Sequence, residues 1–233
     1  MIAPQSSLSR RTLLLSALAL GASACSREAD APASAAADEA APPPPPLAPG
    51  DLPVVALLGD SITAGYGLPA KDALPAQLEA ALAEAGTPAR VRAAGVSGDT
   101  TAGALARVDF SIQDDTDLCV VALGGNDLLQ GIEPATMRAN LEGIITRLKA
   151  RNIPVLLAGM QAPPSYGAYA TDFAAVFEGL ARDHDVALYP FLLDGVALDP
   201  ALNQDDGIHP NAEGVKVIAQ RLAPAVAGAL AGA

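Results

Sequence analysis

Two stretches far apart in the chain hold the residue types needed for acyl transfer. Near the C-terminal end, "DDGIHPNAEG" (Asp205 to Gly214) carries one of only two histidines, with Asp206 three residues ahead of His209. Much earlier, "LLGDSITAGYGLP" leaves an apolar run, turns at Gly59 and presents Asp60 and Ser61. A hydroxyl, an imidazole and a carboxylate make a nucleophile, its base and the group that orients the base. In a turn or a helical start, side chains three apart lie on one side. Asp206 can therefore reach Nδ1 of His209 and leave Nε2 free to face Ser61, and Pro210 fits the first turn of a closing helix. Each stretch alone has a plainer reading. Asp60 or Ser61 suits a helix N-cap, and a histidine beside acids suits a polar surface turn.

Two further stretches supply the donors that acyl transfer needs. In "AAGVSGDTT", Gly95 and Gly98 permit close approach of a backbone N–H to a ligand, and Asp99 or Thr100 suits the cap of a following helix. The G-x-G-x-x-G spacing of a dinucleotide site is absent. In "LGGNDLL", Asn126 places an uncharged amide donor where an oxyanion develops, or else makes an Asx-turn or cap. Asp60 and Asp127 read as turn and capping groups. Asp205 competes with Asp206 for the acid role, and the three-residue spacing to His209 favours Asp206. His184, between Asp183 and Asp185, reads as a solvated helix end. One useful histidine without a cysteine pair does not make a metal site, which needs at least three converging ligands; no cofactor is expected. Cys119, in "DLCVVALGGND", reads as a small buried hydrophobe.

These residues must be positioned by alternating strands and helices. Strands are predicted at Val54–Leu58, Ala89–Ala93, Leu118–Leu123, Pro154–Ala158 and Val186–Tyr189. Helices are predicted at Pro75–Ala85, Thr101–Phe110, Pro134–Arg151, Thr171–Asp183 and Asn211–Ala227. The first, third and fourth strands are apolar throughout, as in a parallel strand covered on both faces. Strand–helix alternation implies an α/β domain with a parallel sheet sandwiched by helices. Ligands of such sheets sit at the carboxyl ends of the strands, near a switch in strand order, which is where the stretches holding Ser61, Gly98 and Asn126 fall.

"GDSIT", "GVSGDTT", "GGND" and "DGIHP", in this order and approximate spacing, resemble the sequence blocks of the SGNH (GDSL-type) hydrolases, most closely the bacterial arylesterases and multifunctional thioesterase/lysophospholipases. The resemblance covers residues 53–228. It implies a three-layer α/β/α sandwich with a flavodoxin-like five-stranded parallel sheet. By motif it makes Ser61 the nucleophile, His209 the general base and Asp206 its orienting acid. It places the Ser61 N–H, the Gly98 N–H and the Asn126 side chain in the oxyanion hole. Many relatives have Asn where Ala94 stands, which bears on the local turn rather than on the chemistry. The region "MQAPPSYGAYATDF" lies beside the acyl pocket in related enzymes, so Tyr166, Tyr169 and Phe173 either line an apolar wall or pack on the scaffold. The expected activity is cofactor-free hydrolysis of carboxylic esters and thioesters through an acyl-enzyme, on short to medium acyl chains. A carbohydrate O-acetylesterase of the cell envelope and a non-catalytic envelope-binding lipoprotein are the other classes; the second is disfavoured because every triad and oxyanion position is filled.

The chain has 233 residues, a net charge of −12 and no Trp. Without a Lys/Arg cluster it has no electrostatic footprint for nucleic acid. A monomer acting on a small-molecule or lipid ester is expected. Arg10 and Arg11 precede an apolar run from Thr12 to Ala22, too short for a permanent bilayer span, and small residues lead to Cys25. This reads as an export signal resembling a twin-arginine leader. "ASAC" resembles a lipobox in which Cys25 is lipidated, although Ala22 stands where that pattern prefers Leu; cleavage nearby with release to the periplasm or medium is the alternative. Residues 26–50, rich in Ala and Pro, read as a disordered tether ahead of a hydrolase domain at 51–233.

Overall fold

In the computed structural model of the protein, the described residues are Gly50 and 52–232. The export signal, nearly all of the tether and Cys25 lie outside them.

Five strands pair in parallel in the order β2-β1-β3-β4-β5: β1 (Val54–Gly59), β2 (Arg90–Gly95), β3 (Leu118–Ala122), β4 (Val155–Ala158) and β5 (Ala187–Tyr189). Every residue of β1, β3 and β4 is buried, which is why these segments carry no polar alternation. The edge strand β2 is half exposed and includes Arg90 and Arg92. Among the described residues seven α-helices flank the sheet: α1 (Ser61–Ala64), α2 (Leu74–Glu84), α3 (Thr101–Ser111), α4 (Gly125–Leu129), α5 (Pro134–Ala150), α6 (Ala168–His184) and α7 (Ala212–Ala231). Helix α2 packs with α7, and α5 packs with both α3 and α6. Right-handed crossovers explain the grouping. The step from β1 to β2 runs one way along the sheet and the later steps run the other way, so their helices fall on opposite faces. This is the expected three-layer α/β/α sandwich with a flavodoxin-like sheet.

The register matters for the site. Gly59 of β1 aligns with Gly95 of β2 and Ala122 of β3, Ala122 aligns with Ala158 of β4, and Ala158 aligns with Tyr189 of β5. The strands therefore end at one level, and the loops that follow them start together. Beneath that level the floor is apolar: Leu57, Leu58, Leu118, Val120, Val121 and Leu157 have no accessible surface. Truncating one such leucine to Ala costs about 2–5 kcal/mol.

Some boundaries differ from the sequence reading. The two short helices α1 and α4 were not among the predicted elements, because four or five residues carry no periodic signal. Helix α7 starts at Ala212 and runs to Ala231, with Asn211 as its cap accepting from the Gly214 N–H. Pro210 is therefore not in its first turn. It sits in an isolated antiparallel bridge with Asn203, which fixes the backbone on the far side of His209.

Candidate active site

The chain leaves β1 at Gly59, where a Cβ would lie 2.5 Å from the Ala122 carbonyl oxygen. Only glycine lets the backbone turn this close to β3. Asp60 then caps α1 by accepting from the Ile62 N–H at 3.0 Å. Ser61 is thereby the first helical residue, and its own N–H has no acceptor among the described residues, as a helix start dictates.

The loop from Leu202 to Asn211 brings the base to this hydroxyl. His209 Nε2 lies 2.8 Å from Ser61 Oγ, across 148 residues of sequence. On the other side of the ring, Nδ1 is 2.7 Å from Asp206 Oδ2. Asp206 Oδ1 accepts from the backbone N–H groups of Ile208 at 2.9 Å and His209 at 3.0 Å. These N–H groups and the His209 ring push the Asp206 carboxyl down to about 2, the His209 backbone bond contributing most. An ionised Asp206 only accepts, so Nδ1 must carry the proton and Nε2 presents its lone pair to the Ser61 O–H. Asp205 is exposed and makes no hydrogen bond to the ring, whose Nδ1 is bonded to Asp206 instead.

The donor side is built from the loops after β2 and β3. Gly98 has φ +84° and a backbone N–H without an acceptor among the described residues. That backbone conformation is one that L side chains rarely adopt. Asn126, in the first turn of α4, donates through Nδ2 to the Asp99 carbonyl at 3.0 Å, which sets the plane of its amide. Its second N–H faces Asp60 Oδ2 at 3.5 Å, so long a contact that the group is open to a better acceptor. Asp60 is almost fully buried. Burial pushes its carboxyl up to about 6, opposed by the Ile62 N–H and by the charge of His209.

Arg107 ties this side together, and sequence reasoning missed it. Its guanidinium pairs with Asp99 at 2.7 Å and donates to the carbonyls of Ala94 at 2.9 Å and Gly59 at 3.0 Å. One side chain on α3 thus fixes the ends of β1 and β2 and the loop holding Gly98. It also anchors the end of β2 at Ala94. No periodicity marks such a residue, because three of its four acceptors are backbone or loop groups from other elements, and only the Ser111 hydroxyl lies on α3 itself. Asp127, as read, is a capping group, but for a different helix. Fully buried, it accepts from the Thr101 N–H at 2.9 Å and from the Thr101 hydroxyl at 2.5 Å, and so locks α4 onto the start of α3.

The aromatic wall divides. Tyr166 is exposed, and Tyr169 is half-buried with its hydroxyl donating to the Ile132 carbonyl at 2.8 Å. Phe173 has no accessible surface and packs edge-on to Phe177. It belongs to the core and offers no face to a ligand, which corrects its reading as an acyl-pocket residue. His184 ends α6 and contacts Glu142 at 3.2 Å. Cys119 is fully buried, which pushes its thiol up to about 12 and removes it as a nucleophile. Among the described residues, no group of three or more His, Cys, Asp or Glu converges as a metal site would require.

Chemically, the arrangement joins a hydroxyl, a base with a fixed tautomer, two unpaired N–H groups and one loosely held amide at the carboxyl ends of β1, β2 and β3. The chain is similar to known proteins. Residues 57–217 match the GDSL-like lipase/acylhydrolase family. Esterase TesA of Pseudomonas aeruginosa is 41% identical over 156 residues, 66% of this chain and 78% of that protein. Thioesterase 1/protease 1/lysophospholipase L1 of Escherichia coli is 38% identical over 169 residues, 72% of this chain and 80% of that protein. The crystal structure of AlinE4, an SGNH-hydrolase family esterase, superposes with a TM-score of 0.65 at 47% identity, covering 77% of this chain and 97% of that one.

Proposed function

The chain belongs to the GDSL-like lipase/acylhydrolase family and is a carboxylic ester hydrolase, and from that premise we propose that Ser61 is its nucleophile, with His209 as general base and Asp206 as the acid that orients it. The carrying observation is the 2.8 Å approach of His209 Nε2 to Ser61 Oγ. Ser61 Oγ attacks the ester carbonyl while its proton moves to Nε2. The negative oxygen of the tetrahedral intermediate takes hydrogen bonds from the Ser61 N–H, the Gly98 N–H and the second N–H of Asn126. His209 returns the proton to the departing alcohol or thiol, leaving an acyl-serine and a neutral imidazole. Water then attacks the acyl-serine with His209 as base, and the acid is released.

The substrates in this reading are esters and thioesters of short to medium acyl chains. The names of the relatives, an esterase and a thioesterase/lysophospholipase, support that class. A fluorophosphonate probe tests the nucleophile. It is expected to add once to the protein, at Ser61, and not at all to Ser61→Ala; labelling that persists in the variant contradicts the assignment.

The leader with Arg10 and Arg11 and the small residues before Cys25 support export to the cell envelope, with Cys25 as a lipid anchor. Among the described residues no helix is long and apolar enough to cross a membrane. Fractionation of cells expressing Cys25→Ala tests the anchor. The protein is expected to move from the membrane to the soluble envelope fraction, and an unchanged distribution contradicts it.

A further inference from the structure

Tyr66 lies just past α1, with its backbone N–H donating to the Ser61 carbonyl at 3.0 Å. Its ring centroid is 4.5 Å from that of the His209 imidazole, the planes tilted by 35°. The side chain is otherwise poorly explained. It is 52% exposed, is absent from the apolar residues packed on the core, and its hydroxyl makes no hydrogen bond among the described residues. An aromatic left half in water against a single partner is not there to build the core.

Its backbone is held in place from the other loop. Gln204 Nε2 donates both to the Tyr66 carbonyl at 2.9 Å and to the Pro210 carbonyl at 3.0 Å. The Gln204 N–H donates to the His209 carbonyl at 2.8 Å. One glutamine thus staples the loop that carries Ser61 to the loop that carries His209, with the tyrosine ring lying over the imidazole at the seam.

We infer that Tyr66 is a positioning residue for His209: its ring face holds the imidazole against Ser61 and attracts the positive charge that the imidazole gains when it accepts the Ser61 proton. The aromatic face is electron-rich and draws a cation, most often at modest strength where water has access. The other groups acting on that charge are the Asp206 carboxylate at Nδ1 and the buried Asp60; both are anionic when ionised and reinforce it. The inference rests on the serine mechanism proposed above and adds a residue to it.

The test compares pH profiles of p-nitrophenyl acetate hydrolysis for the wild type, Tyr66→Phe, Tyr66→Leu and Ser61→Ala, with Tm measured alongside. Tyr66→Phe keeps the ring face and is expected within about twofold of the wild type. Tyr66→Leu is expected to lose about two- to tenfold in kcat, with KM and Tm nearly unchanged and the acid limb of kcat/KM moved to lower pH. An unchanged kcat and profile in Tyr66→Leu overturns the inference. So does a Phe variant as impaired as the Leu variant, or a loss confined to KM. If any of these three defeats comes with an inactive Ser61→Ala, the serine reading stands and only the role of Tyr66 falls. Full activity in Ser61→Ala overturns both.

Discussion

Asp60 and Asn126 face each other at 3.5 Å, Oδ2 to Nδ2, on the floor of the site. The carboxyl that starts the helix of the proposed nucleophile is thus also the resting neighbour of the proposed oxyanion donor. Its burial makes it costly as a charge, and its carboxyl is raised to about 6.

A group raised in this way holds its proton more tightly in the folded chain. Its contribution to stability is fully present below its ordinary value near 4 and is lost as pH rises through about 6. Asp60→Asn keeps an acceptor for the Ile62 N–H and removes the charge. Relative to wild type, it is expected to gain on the order of 2–3 kcal/mol more at pH 8 than at pH 4. Urea unfolding at the two pH values measures this, and an equal difference at both contradicts the account.

Asn126→Ala removes the amide donor but leaves the Ser61 and Gly98 N–H groups. A fall in kcat of about 10²–10³-fold is expected, with little change in KM, because the bond forms only as the carbonyl oxygen becomes negative. Steady-state kinetics on a p-nitrophenyl ester gives both constants.

Asp206 titrates near pH 2, so it remains a carboxylate wherever the enzyme is assayed. The group contributes stability above its ordinary value near 4 and loses it only as pH falls toward 2. That contribution is small, since the side chain is 38% exposed and solvent screens it. Its effect is on rate. Asp206→Asn is expected to lower kcat by about 10³–10⁴-fold through loss of the fixed tautomer, while Asp205→Asn stays near wild type. Comparable losses in the two variants contradict the assignment of the acid.

Arg107→Met leaves the Gly59 and Ala94 carbonyls and the Asp99 carboxylate without their shared donor. A stability loss of about 1–3 kcal/mol is expected in urea unfolding. A fall in kcat of up to about 10²-fold should accompany it, since the loops holding Gly98 and Asn126 are no longer pinned. Lysine is not expected to rescue either effect, because a single ammonium cannot reproduce the guanidinium fork.

Much of this was legible in the sequence, and for definite reasons. The apolar runs of β1, β3 and β4 announce buried parallel strands, and the residues just beyond them had to lie at the carboxyl edge of a sheet. Asp206 and His209 were readable because their spacing is local. What was hidden depends on contacts between distant loops. The Arg107 staple, the Gln204 bridge and the Tyr66 ring over His209 have no local signature, since each acts on backbone or side-chain atoms of another segment. The acyl-wall reading of Phe173 fails for a related reason: which face of α6 turns into the core depends on packing against distant segments.

The central claim is that Ser61 attacks the ester with His209 as its base. The most direct measurement is the steady-state rate of p-nitrophenyl acetate hydrolysis by Ser61→Ala, purified and folded as judged by an unchanged far-UV spectrum and Tm. The expected result is a loss of about 10⁴–10⁶-fold in kcat; hydrolysis at the wild-type rate would contradict the account.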